Sequence, residues 1–235
     1  MHISSKEIFD LKIAPLLIGS TSTDTINIFS KTSFNYFYNL SNTMGLKERQ
    51  VASIIGFKDE FFVETVINQV IEENNFNNKF YFKKVTANKT SGIKGRSVKV
   101  GDKNIDLTFG GDCVVFCKQN NRDIPILIIE CKEYIDMIRL KELIGESKII
   151  KDIVSNSTVN FPKIQFWVFA EVLELTEGWA YLFNNSDLKH LIDNVFVVRL
   201  GKRKDKTNNP QKDILFHFRD EVKFFLKSYE NQSDK

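Results

Sequence analysis

The stretch from Gly110 to Tyr134 sets two apolar runs of strand length on either side of a short polar turn, and few folds can seat such a pair outside the centre of a sheet. Gly111-Asp112 opens the first run, Cys113-Val114-Val115-Phe116-Cys117. Lys118 to Asp123 makes the turn, and Pro125-Ile126-Leu127-Ile128-Ile129 leads into Glu130-Cys131-Lys132. Continuous apolar runs of this length read as strands buried on both faces, and the turn makes them a hairpin. Alternate strand residues share a face, so Glu130 and Lys132 point to one side and Cys131 to the other. Charged groups ending an apolar strand are costly to desolvate unless they are paired or bind something.

With 235 residues the chain fits one large domain and can bury a sizeable core. A hydrophobic content of 42% and a charged content of 27% are ordinary for a globular protein, and a net charge of +3 says little about nucleic-acid partners. Cys113, Cys117 and Cys131 all fall in the presumed central strands, and no Cys or His pair has zinc spacing. They read as reduced core thiols. No basic segment followed by an apolar one opens the chain, and no apolar run approaches the ~20 residues of a membrane helix. A soluble, cytoplasmic protein without a membrane partner is expected, and the Asn88-Lys89-Thr90 glycosylation triplet is then a chance match.

Residues 1 to 57 read as a helical N-terminal elaboration. Within it, Leu46 to Phe62 suggests two helices joined at Gly56, either an ordinary helix pair or a helix-turn-helix. The helix from about Lys58 to Glu73 carries an apolar stripe of Phe62, Val63, Val66, Ile67, Val70 and Ile71, with Glu60 and Glu64 at its edge. Either acid can lean toward a site built by the sheet, or simply favour a helix N-terminus. Lys79 to Val85 reads as a strand. Residues 86 to 101 read as a polar loop in which two glycines interleave with Lys94, Arg96 and Lys99. This loop lacks the ending of a phosphate-binding P-loop, so no nucleotide cofactor is expected. After the hairpin come a long helix (Tyr134 to Val154, with Ile135, Ile138, Leu143, Ile149, Ile150 and Ile153 apolar), a turn at Phe161-Pro162 and a core strand from Ile164. A short helix (Ser186 to Asp193), a second strand (Val195 to Leu200), a basic loop with Lys202, Arg203 and Lys204, and a final helix (Ile214 to Tyr229) complete the chain. Strands alternating with helices imply an α/β sheet with a parallel part.

Two carboxylates at the ends of adjacent strands make a hard oxygen site suited to Mg2+, which accepts one or two protein carboxylates and keeps several waters. A lysine beside it can orient water or steady the charge that develops when a phosphodiester is attacked. His190 and His217 lie far in sequence from these acids, and no nucleophile-elbow sequence supports a serine triad.

Gly111-Asp112, an apolar strand, and Glu130-Cys131-Lys132 after a second apolar strand resemble the motif of the PD-(D/E)XK nuclease superfamily, above all its type II restriction endonucleases. Glycine stands where the motif's name carries proline. The resemblance covers about a tenth of the chain. It implies that Asp112 and Glu130 hold Mg2+ with the backbone carbonyl of Cys131, and that Lys132 activates or orients the attacking water. It also implies that Glu64 or Glu60 adds a further acid; Asp106 is the reserve for the first acid. The implied fold is α/β, a restriction-endonuclease-like central mixed sheet flanked by helices, with helical N- and C-terminal additions. The whole chain is then one nuclease domain, with its catalytic core at about 58 to 200 and a basic loop and helix at 201 to 235. Double-stranded DNA is the implied partner, contacted by Lys94, Arg96, Lys99, Lys202, Arg203 and Lys204, with a homodimer matching palindromic sites. Two other readings stay open: a structure-specific repair or recombination nuclease, and a catalytically silent DNA-binding module.

Overall fold

The computed structural model describes residues 4–87, 91–119, 122–155, 163–179 and 187–233. The Asn88 triplet, the tip of the central hairpin, the turn at Phe161-Pro162 and the start of the helix expected from Ser186 lie outside them.

The two apolar runs form the antiparallel pair β4 (Gly111–Gln119) and β5 (Arg122–Ile135), joined by β1 (Phe80–Val85), β6 (Gln165–Leu173) and β7 (Asn194–Val197) in the order β1-β4-β5-β6-β7. Pairing is antiparallel from β1 to β5 and parallel from β5 to β7, so the sheet is mixed. Strand alternation divides the core in two. Cys113, Val115, Leu127, Ile129, Trp167 and Phe169 face the long helices α5 (Glu48–Glu73) and α7 (Lys212–Ser233). Val114, Phe116, Ile128, Phe166 and Val168 face α6 (Met137–Ser155). Rings interlock on the first side: Phe169 lies 5.6 Å from Phe62 and 5.2 Å from Phe218, centroid to centroid. Phe218, Val222, Phe225 and Leu226 of the last helix are buried, as their helical spacing predicts.

Four short helices precede α5: α1 (Ser5–Ile8), which continues through a π-helical turn (Phe9–Ile13) into α2 (Ala14–Leu17), α3 (Ser22–Phe29) and α4 (Phe34–Thr43). Side-chain oxygens of Ser4, Thr21 and Ser33 accept from backbone amides at the starts of α1, α3 and α4. Phe9, Ile13, Phe34 and Phe37 pack with Val51 and Ile54 of α5 in a third apolar cluster.

Several expectations are corrected. The segment 46–62 is not two helices: α5 runs unbroken through Gly56, whose φ is not positive, so no helix-turn-helix exists there. A β-carbon at Gly56 meets nothing within 4 Å, and the flanking Ile54 and Ile55 are buried as on any amphipathic helix. The expected loop 86–101 contributes a strand instead. Ile93–Val100 (β2) pairs antiparallel with Lys103–Phe109 (β3) in a two-stranded ribbon. Its alternation was hidden by charges and by Gly95, where a β-carbon would sit 1.8 Å from the Ile153 side chain of α6. Strand β5 extends through Ile135, so α6 starts at Met137 rather than Tyr134, and Ile138 and Ile149 are 67% and 60% exposed rather than core. Residues 187–190 make only a 3-10 turn, and β7 stops at Val197.

The sheet also buries a charged cluster. Lys58 and Asp59 of α5 meet Glu171 of β6 and Arg199 just past β7, all nearly inaccessible to solvent. Lys58 Nζ donates to Asp59 Oδ1 at 2.6 Å and to Glu171 Oε1; Arg199 Nε donates to Glu171 Oε2. Arg199 also donates to the Thr32 carbonyl at 2.6 Å, and the rings of Phe29, Phe34 and Phe37 surround the Lys58 ammonium at 5.5 to 5.8 Å. Burial pulls the Lys58 ammonium down to about 8 and pushes the Asp59 carboxyl up. With two cations matched to two carboxylates, the cluster ties the N-terminal helices to the far end of the sheet.

Candidate functional site

Asp112 stands at the start of β4, and the pairing of Cys113 with Ile129 brings it beside Glu130 on β5. The three motif residues therefore meet. Lys132 Nζ lies 2.7 Å from Glu130 Oε2 and 3.8 Å from Asp112 Oδ2, and the Asp112 amide donates to Glu130 Oε1 at 3.4 Å. The Cys131 amide donates to Asp112 Oδ2 at 3.0 Å, which holds the aspartate across the strand gap. In an extended strand the N–H and C=O of one residue point to the same edge, so the Cys131 carbonyl is on the Asp112 side as well. Gly111 is also accounted for: a β-carbon there would lie 2.5 Å from Ile128 and 3.3 Å from Glu130 Oε1.

These side chains open into a cavity of about 500 Å³, lined also by Lys84, Thr108, Gly110, Glu146 and Ile149. Burial, with the Asp112 charge second, pushes the Glu130 carboxyl up to about 7 against the opposing pull of Lys132. Burial acts to lower Lys132, but Glu130, then Asp112 and Glu146, outweigh it and hold the ammonium above its ordinary value. Lys132 is thus a held positive charge in this arrangement, not a ready proton acceptor.

The expected acid from the preceding helix does not line the cavity. Glu60 is bound in an ion pair with Lys84, whose other electrostatic partners include Asp112. Glu64 is exposed, and its partial burial raises the carboxyl while Lys6 and Lys84 lower it. Instead, Glu146 of α6 reaches the cavity; burial raises its carboxyl, Lys132 lowers it and Asp112 raises it further. Sequence reasoning missed Glu146, although it sits three residues after Leu143 and four before Ile150, both buried against the sheet. That i, i+3, i+7 stripe was the available signal. The reserve candidate Asp106 is on β3, outside the cavity lining, paired with Lys94 at 2.7 Å.

The basic candidates are dispersed. Lys94 is paired with Asp106 and Arg96 with Asp152 at 3.3 Å, while Lys99 is exposed on the ribbon. Lys202, Arg203 and Lys204, with Lys206, border a second cavity of about 730 Å³ that also includes Tyr38 and Glu133. Glu133 neighbours Lys132, so the two cavities flank the same end of β5. Arg203 lies 4.0 Å from the Tyr134 ring centroid, and Arg139 lies at the same distance.

Among the described residues, no three His, Cys, Asp or Glu side chains converge as a ready metal cluster. Two carboxylates, a backbone carbonyl and room for water nonetheless fit Mg2+, which binds few protein oxygens and retains its waters, better than they fit a fully caged ion. No described helix is long and apolar enough to cross a membrane.

No protein-family profile matches the chain, and no curated relative matches it. Among solved structures the chain is similar to the type IIF restriction endonuclease Bse634I with cognate DNA, with TM-score 0.53 and 10% identity over 94% of this chain and 92% of that one. A second structure, Bse634I restriction endonuclease, gives TM-score 0.48 at 10% identity over 84% of each chain. The fold is therefore restriction-endonuclease-like: a mixed central sheet flanked by helices.

Proposed function

We propose that this chain is a Mg2+-dependent endonuclease that hydrolyses phosphodiesters of double-stranded DNA at a specific sequence, as a type II restriction endonuclease does. The observation that carries the reading is the meeting of Asp112, Glu130 and Lys132 at the end of β4 and β5, in a restriction-endonuclease-like fold. Bse634I, the similar protein, is named as a restriction endonuclease and was seen with its cognate DNA.

Asp112, Glu130 and the Cys131 carbonyl would hold the metal, which supplies positive charge against the negative charge that develops at phosphorus. In hydrolysis the water oxygen forms a bond to phosphorus, the bond from phosphorus to the leaving sugar oxygen breaks, one proton leaves the water and one reaches the leaving oxygen. Lys132, held charged between the two acids, orients the water and steadies the negative phosphorus centre. Glu146 extends the acidic wall and is the acid best placed to accept the water's proton through solvent; Glu60 is held by Lys84, and neither Glu60 nor Glu64 lines the cavity. Lys202, Arg203 and Lys204 are proposed backbone contacts, and a homodimer is proposed to match a palindromic site. The silent DNA-binding reading has lost the helix-turn-helix that supported it.

The test is incubation with phage DNA with and without Mg2+, followed by sequencing of the ends. Fragments sharing one end sequence, formed only with the metal, support the reading. Cutting confined to branched or flapped substrates favours the repair-type alternative, and intact DNA under all conditions overturns catalysis.

A further inference from the structure

We infer that the β2-β3 ribbon is the part of this protein that reads DNA sequence, entering the major groove with Lys99 and Asn104 toward the base edges. The inference rests on the DNA-binding part of the function proposed above and adds a reading surface to it.

The ribbon's pairing assigns every side chain to a face. Ser97 opposes Asp106, and Lys99 opposes Asn104; with Lys94 and Thr108 these form one polar face. Ile93, Phe109, Leu107, Arg96, Val98 and Ile105 form the other face, whose inner half packs against α6. Gly95 permits that packing, and the Arg96 to Asp152 pair fastens it. Arg96 is therefore spent on attachment, and Lys94 is engaged by Asp106, which also accepts from Ser97 Oγ at 2.6 Å. Two of the three ribbon cations expected to grip phosphates are anchors instead. Lys99 and Asn104 remain, both exposed, and among the described residues no acid pairs with Lys99.

Position favours the same partner. The ribbon rises from the lip of the catalytic cavity: Thr108, Phe109 and Gly110 line that cavity and run directly into Asp112. Its far end closes in a two-residue turn, with Gly101 at φ +60°, so it stays narrow. From Thr108 to Asn104 the strand spans ~14 Å at ~3.4 Å per residue, or about four base pairs of duplex. A two-stranded ribbon fits the major groove, where an asparagine amide matches adenine and a lysine matches guanine. An amide and an amine on one stiff face are groups such readout uses.

The experiment compares wild type, Asn104→Ala and Lys99→Ala by selection from a randomised duplex library in Ca2+, and by sequencing the ends cut in Mg2+. The expected result is a wild-type consensus in which one or two positions lose at least tenfold preference in each variant. Asn104→Asp, which keeps the size and loses the donor, should alter the same position as Asn104→Ala. Unchanged consensus in both variants overturns the inference. Absence of any wild-type consensus, or of any salt-sensitive binding, overturns it too. If wild type selects a sequence but never cuts, and the variants shift that sequence, the inference stands and the catalytic proposal fails.

Discussion

Glu130 is buried beside Asp112 and Lys132, and its titration gives a test that needs no substrate. Its folded-state value of about 7 lies above the ordinary carboxyl value of 4.5, because burial and Asp112 disfavour the anion more than Lys132 favours it. A raised carboxyl means that the folded chain binds the proton more tightly than the unfolded chain. Its contribution to stability is therefore present at low pH and is lost as pH rises from about 4.5 through 7. In EDTA, wild type should lose more denaturation midpoint between pH 5 and pH 8 than Glu130→Gln, which has no proton to release. Parallel losses in urea titrations at the two pH values would contradict this. The motif itself was legible because an acid and a lysine ending an apolar strand stand out against their neighbours. Glu146 was not, because one glutamate among the many polar residues of a helix becomes distinctive only when the sheet defines what its stripe faces.

Among the elements, α5 is one continuous helix where the sequence suggests two, and it bears two testable positions. The helix is continuous through Gly56 and leaves open space there, so Gly56→Ala should raise stability by up to about 1 kcal/mol, read by urea unfolding. A turn at that position would make alanine neutral or harmful. Two residues on, Lys58→Met removes one cation from the buried cluster and leaves Asp59 and Glu171 with Arg199 alone. Breaking such clusters costs about 3 to 5 kcal/mol, so the variant should unfold at much lower urea or fail to accumulate. Stability within 1 kcal/mol of wild type would contradict the described cluster. Glycine misled in opposite directions: Gly56 looked like a break in a helix whose partners hold it straight, and Gly95 looked like a loop where it is the close contact that docks a strand on α6. The central strands were legible because their apolar runs exceed what any surface element carries. Charged residues within such runs, Glu171 and Arg199, were the overlooked sign of the buried cluster.

For the whole molecule, the mixed sheet brings the start of β4 and the last part of β5 together in its interior, with the ribbon beside them and the basic 202–206 loop at the second cavity that flanks β5. That arrangement sets the cavity of Asp112, Glu130 and Lys132 between two polar surfaces, the face by which a duplex would approach under the proposed function. The parallel part of the sheet was readable from strand and helix alternation; the attachment of the N-terminal helices was not, since it depends on Thr32 and Arg199, 167 residues apart. The most direct test of the account compares wild type, Asp112→Ala and Lys132→Ala for Mg2+-dependent cleavage of phage DNA, with binding followed on the same DNA in Ca2+. The account predicts that wild type yields defined fragments, while both variants lose at least 100-fold in cleavage rate, about 2.7 kcal/mol, and keep binding within a few-fold. Cleavage by Asp112→Ala at the wild-type rate, or no cleavage by wild type, would contradict it.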